Sequence, residues 1–191
     1  MPNFDACLQF VWRPGFDDPN DGHHTTQGDP GGPTYGGVTQ ATWDAALASG
    51  LVHGTLAGAT LETLADVLEA TCWRPLCPQV PRGIDLMLFN GVMMTGSYRR
   101  LTQQCLGMVG GDVDGYIGPI TLRKINAAHA LTLIDALTGV HYAYLHSLLG
   151  LWPKFGTGWA RRLVAAQAEA HRLAMAAPPG PPPPDTIRLS S

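Results

Sequence analysis

The sequence predicts a mainly α-helical domain carrying one long Gly/Asp-rich loop and a small β-hairpin. Three observations carry that prediction. Apolar residues recur at helical spacing through most of the chain, as they do where helices bury one face. The stretch from Trp12 to Thr39, WRPGFDDPNDGHHTTQGDPGGPTYGGVT, has neither a helical nor a strand period. Within it, PTYGGVT has the glycine pair and β-formers of a short hairpin arm. With 191 residues, 45% of them hydrophobic, the chain is long enough to bury a core. Charged residues make up 14% and the net charge is -3, which excludes a disordered chain and a basic nucleic-acid footprint. The chain has no apolar run of the roughly 18 residues a membrane span needs. Its first residues show no basic region followed by an apolar core, so no signal peptide is visible.

Taken in order, residues 3–13 place Phe4, Cys7, Leu8 and Val11 on one helical face, with Asn3 as N-cap. Pro14 and Gly15 end that helix and leave Trp12 and Arg13 at the mouth of the loop. A second helix spans Thr39 to Ser49, capped by Thr39 or Thr42, with Trp43, Ala46 and Leu47 on its apolar side. A third runs from Thr60 to Cys72, with Leu61, Leu64, Val67, Leu68 and Cys72 at helical spacing. WRPLCPQVP is a proline-studded connector. Gly83 to Leu106 is the most apolar helical stretch, and Gly91 and Gly96 allow close contact or a kink. Pro119 suits the first position of a helix reaching about Ala128, and another helix spans Leu131 to Leu149. GLWPKFGTG is expected as an aromatic loop before a last helix, Trp159 to Met175, with Arg161 and Arg162 on its polar side. Pro178 to Pro184 is polyproline, so residues 178–191 form a tail behind a single domain of residues 1–177.

The loop offers chemistry through Asp17, Asp18, Asp21 and Asp29, although Asp-Pro and Asp-Gly contexts equally suit turn-capping aspartates. His23 and His24 are adjacent and point in different directions. They lack zinc spacing, so a metal-dependent amidase is a minor alternative and no metal or other cofactor is expected. Asp112 and Asp114 lack the rest of a calcium loop. Cys7, Cys72, Cys77 and Cys105 are too sparse for a disulfide scaffold and are expected as buried free thiols.

Several ordered segments together resemble glycoside hydrolase family 108, the lysozyme-like muramidases of phages and bacteria. Trp12-Arg13-Pro14-Gly15-Phe16 is similar to the family's Trp-Glu-Gly-Gly-Phe/Tyr segment. Asp17-Asp18-Pro19, Asp29-Pro30-Gly31-Gly32-Pro33-Thr34 and Gly37-Val38-Thr39 then follow in the family's order. Asp114 to Leu122 resembles the Asp-Gly-x-x-Gly-Pro-x-Thr-Leu signature of its C-terminal peptidoglycan-binding region. Phe155 to Trp159 with Arg162 resembles the Phe-x-x-Gly-Trp-x-x-Arg pattern of its last helix. The resemblance implies a lysozyme-like helical domain, with a catalytic-type lobe over about residues 1–80 and a peptidoglycan-binding-like lobe over about 81–177. It implies peptidoglycan glycan strands as partner, at the cell wall or periplasm or on a particle.

The departures from the family pattern bear on activity. The family's acidic glutamate falls at Arg13, and a guanidinium cannot hand a proton to a glycosidic oxygen. Asn90 stands where the resembling helix carries an aspartate, and Met94 where it carries an asparagine. If hydrolysis survives, Asp17, Asp18 and Asp29 are the substitute acids. Glycan contact is expected from Trp12, Phe16, Thr34, Tyr35, Thr39 and Asn90. The second reading is an inactive structural or assembly component of a phage-like particle or secretion apparatus, engaging partner proteins through the Pro-rich tail.

Overall fold

The computed structural model describes residues 2–176; the expectations for the Pro-rich tail lie outside the described residues. The fold is mainly α, as the periodicity predicts, with eight helices among the described residues and one two-stranded antiparallel sheet. The helices are α1 (Pro2–Val11), α2 (Gln40–Ala48), α3 (Leu61–Leu68), α4 (Ile84–Met94), α5 (Tyr98–Cys105), α6 (Pro119–Ala127), α7 (Ala130–Ser147) and α8 (Trp152–Ala176). The hairpin pairs β1 (Thr34–Tyr35) with β2 (Val38–Thr39) in the register Thr34 to Thr39 and Tyr35 to Val38.

Helix α4 lies at the centre. Every residue from Ile84 to Gly91 is buried, and a helix apolar all round must be covered on all sides. Its neighbours α1, α5, α7 and α8 supply that cover. Phe4 of α1 and Phe89 of α4 meet Trp73 in a triad with ring centroids 5.6 to 5.8 Å apart, partly edge-on. Asp85 closes the start of α4 by accepting the N–H groups of Gly83 and Leu86 at 2.7 and 2.8 Å.

Several elements differ from the sequence reading. Asn3 does not cap α1: the helix begins at Pro2, so Asn3 lies within its first turn. Thr39 and Thr60 do cap α2 and α3, accepting N–H groups three residues on. Leu47 and Leu61 face solvent, however, because the cores beneath their helices are filled by Trp43, Ala46, Leu64 and Val67. The third helix continues past Leu68 only as one π-helical turn, Glu69–Trp73. The WRPLCPQVP connector then buries Trp73, Leu76, Cys77 and Val80, so it belongs to the core.

The single helix expected over 83–106 is two. Thr95 turns extended, the chain reverses at Gly96 and Ser97, and α5 folds back so that the Tyr98 ring lies on Gly91, where any Cβ would collide with it. The expected aromatic loop GLWPKFGTG is largely helical, since α8 starts at Trp152 with Pro153 in its first turn, where a missing N–H costs nothing. Arg162 is not on a polar face; it is 9% exposed. All four cysteines are free, Cys7 and Cys77 buried and Cys72 and Cys105 partly so.

Candidate functional site

The loop is pinned at both ends. At its start the Trp12 indole donates to the carbonyl of Gly36 at 2.9 Å, tying the end of α1 to the hairpin turn. That turn needs glycine, because Gly36 and Gly37 have φ of +54° and +83°. A side chain on Gly37 would meet Met93 and Asp17, so the hairpin tip sits directly over both. Phe16 packs on Phe10 with centroids 5.4 Å apart, and the Asp17 N–H donates to Val11. The segment HHTTQ is partly ordered by the hairpin, since His24 and Thr34 exchange backbone hydrogen bonds at 2.9 Å.

The four loop aspartates separate by role. Asp17 Oδ2 lies 2.7 Å from a terminal nitrogen of Arg162. Asp18 is buried and accepts the backbone and side-chain N–H groups of Asn20 at 2.9 and 2.8 Å, which closes the turn Pro19–Asp21. Asp29 accepts the Gly31 N–H at 2.8 Å in an exposed turn. Asp21 ends the first turn and points to solvent. Thr39 is half-buried and spends its hydroxyl on the α2 cap. Thr34 and Tyr35 are half-buried in β1.

Asn90 is fully buried and does not reach the loop surface. Its carbonyl accepts Arg162 Nε at 2.7 Å and its amide donates toward Met94 sulfur at 3.6 Å. Arg162 is therefore the hub that the sequence reading placed outside. It holds Asn90 on α4 and Asp17 in the loop, and its guanidinium lies 5.6 Å from the Phe16 ring centroid. The one available signal was its place in the Phe-x-x-Gly-Trp-x-x-Arg pattern, because adjacent arginines otherwise suggest a solvated face.

Arg13 lies at the rim. Its guanidinium sits over the Phe10 ring at 4.7 Å and 3.6 Å from Glu169 of α8, a residue the sequence reading did not consider. Glu169 also accepts two bonds from Arg172, at 2.6 and 3.2 Å. Those bonds and the facing Arg13 hold its carboxyl below the usual glutamate range, against a partial desolvation. Further along, Arg161 donates to the Gly15 carbonyl at 3.3 Å and the Lys154 ammonium lies beside Gly28. Helix α8 thus touches the loop at Arg13, Gly15, Asp17 and Gly28. No cluster of three His, Cys, Asp or Glu side chains is placed to hold a metal ion among the described residues.

Residues 20–96 match the family Glycosyl hydrolase 108. The match begins after Arg13 and Asp17 and takes in the hairpin, α2, α3 and α4. Among solved structures, that of Brucella abortus SagA is similar at a TM-score of 0.77 with 25% identity, covering 91% of this chain and 96% of that one. No curated protein matches. The resemblance to glycoside hydrolase family 108 therefore holds over residues 20–96, and the likeness in fold extends over nearly the whole chain.

Proposed function

We propose that this chain, on a scaffold resembling glycosyl hydrolase 108, holds the peptidoglycan glycan strand at the cell wall without cleaving it. What supports the reading is Arg13, which the resemblance aligns with the family's acid and whose guanidinium is engaged by Glu169 and Phe10. Hydrolysis of a glycosidic bond needs a protonated carboxyl within reach of the leaving oxygen. None of the nearby carboxylates suits that task. Asp17 is ion-paired with a buried arginine, while Asp18 and Asp29 are spent on their own turns. Glu169 is held ionised by Arg172 and Arg13, so it accepts protons poorly and has none to give at neutral pH.

In this reading the strand lies between the catalytic-type lobe of about residues 1–80 and the peptidoglycan-binding-like lobe of about 81–177. Trp12, Phe16 and Tyr35, partly buried against the core, would supply it with aromatic contact, and the half-buried Thr34 and Thr39 would lie alongside. Binding of this kind needs no cofactor.

The test pairs two measurements on the purified chain. Co-sedimentation with purified sacculi is expected, and a turbidity assay on the same sacculi is expected to show no clearing. Clearing that is abolished by Asp17→Asn or Asp29→Asn in folded protein would show that the acid has relocated, and the non-hydrolytic reading would fail. Absence of sedimentation would remove the glycan altogether and leave a role as an assembly component.

A further inference from the structure

The α7–α8 hairpin ends in a surface that meets the loop only through Lys154, beside Gly28. The turn Leu148–Leu151 exposes Leu149 at 79%. Tyr142, 45% exposed, stands edge-on to Trp152 with ring centroids 5.4 Å apart. Trp152 in turn lies 6.4 Å from Trp159, which stacks on Phe155 at 5.6 Å. These rings form one continuous, half-exposed shelf along the end of the hairpin. Gly156 permits it, because a Cβ there would stand 2.6 Å from the Trp152 indole that lies against the helix backbone.

Charge and polarity over this segment are as unusual as the rings. The chain has 15 acidic residues and a net charge of -3, yet none of them falls between Asp135 and Glu169. Lys154, Arg161 and Arg162 all do, and only Arg162 is consumed by a carboxylate. Lys154 borders the shelf, 5.0 Å over the Phe155 ring with its ammonium beside Gly28, and has no ion pair among the described residues.

We propose that the tip of the α7–α8 hairpin docks on an anionic lipid surface, with Leu149 and Trp152 seated in the headgroup layer and Lys154 facing the lipid phosphates. The rings and the exposed leucine have the amphipathic make-up favoured at the membrane–water boundary. The acid-free, lysine-bearing segment is complementary to a negative leaflet. A sugar ligand is less well answered. From Gly139 to Ala160 there is no Asp, Glu, Asn or Gln to pair with ring hydroxyls, and the most exposed large hydrophobic is the branched aliphatic Leu149. No helix among the described residues is long and apolar enough to cross a membrane, so the contact is peripheral.

The test uses the full chain with vesicles of phosphatidylglycerol and phosphatidylethanolamine, against vesicles of phosphatidylcholine. Co-sedimentation with the anionic vesicles is expected, with a shift of tryptophan emission to shorter wavelength. Leu149→Glu, at a site too exposed to unfold the chain, is expected to lower partitioning about tenfold. Lys154→Glu lowers it several-fold and flattens its salt dependence. The readout involves no glycan, so it stands or falls separately from the proposed glycan binding. The proposal is overturned if the wild-type chain stays in the supernatant with both vesicles, or if neither substitution changes its binding. It is equally overturned if Leu149→Glu instead abolishes sedimentation with sacculi, or converts a dimer to a monomer without lipid.

Discussion

Two arginines, Arg13 and Arg162, bracket the same loop and differ in almost everything but residue type. The Arg13 side chain is 45% exposed and reaches its one carboxylate partner at 3.6 Å. The Arg162 side chain is 11% exposed and makes two 2.7 Å contacts, one to the loop and one to the central helix. An exposed ion pair of long side chains contributes about 0–1 kcal/mol, because water screens it and ordering opposes it. A buried guanidinium is another matter: remove it, and an amide and a carboxylate lose their partner where water cannot easily replace it. The position that family resemblance marks as chemical is thus energetically cheap to change. The position that ties the loop to the core is expensive, whatever the chain binds.

The sharpest break of that comparison is Arg162→Met. It is expected to cost about 3–5 kcal/mol in chemical denaturation, since Asp17 and Asn90 are left uncompensated. A cost below about 1 kcal/mol would place Arg162 in the same class as Arg13. Adding Asp17→Asn to Arg162→Met is expected to cost less than the two single changes summed, because they share one interaction.

A smaller effect comes from His141, buried at the same end of the core. Its ring lies 4.6 Å from that of Tyr98, and neither ring nitrogen has a partner among the described residues. Burial first, and the nearby Arg162 second, push its pKa down from 6.5 to about 4. The folded state therefore keeps His141 neutral at pH values where the unfolded chain binds a proton. Stability is fully present above pH 6.5 and declines as the pH falls from 6.5 towards 4, by on the order of 3 kcal/mol. Denaturation midpoints measured over that range are expected to fall in the wild type and to flatten in His141→Leu. In Arg162→Met the decline should be shallower, because one of the two causes of the shift is gone.

The parts of this molecule legible in its sequence are those governed by local rules. The caps Thr39 and Thr60, Pro119 at the start of α6, the hairpin at PTYGGVT and the irregular loop all follow from short-range chemistry. The breaks and burials set by distant contacts were not legible. Residues 83–106 have the composition of one helix, and the reversal at Gly96 is rewarded only by Tyr98 reaching Gly91. GLWPKFGTG has loop composition, yet it becomes helical because Trp152 packs over Gly156 and against Tyr142. Within the site, the turn-capping alternative for the aspartates described Asp18 and Asp29 correctly. The partner of Arg13 lies 156 residues away on a helix whose charges look solvated in sequence, so no local pattern could have named Glu169.

The smallest stability effect is expected at Arg13, and it bears most directly on chemistry. Arg13→Ala should change stability by less than about 1 kcal/mol, since it removes one exposed contact and leaves Glu169 its bonds to Arg172. Arg13→Glu goes further by setting two carboxylates against each other at the end of α1. Like charges at short range disfavour the second ionisation, so the pair is pushed towards holding one proton between them. That is the state a glycosidic bond requires of its general acid. Arg13→Glu is therefore expected to fold with little loss and to clear sacculi suspensions that the wild-type chain leaves turbid, with the activity falling as pH rises and the shared proton is lost. A folded, sacculus-binding Arg13→Glu variant that clears nothing would show that more than the acid is missing, and would turn attention to Asn90 and Met94, where the resembling helix carries a carboxylate and an amide.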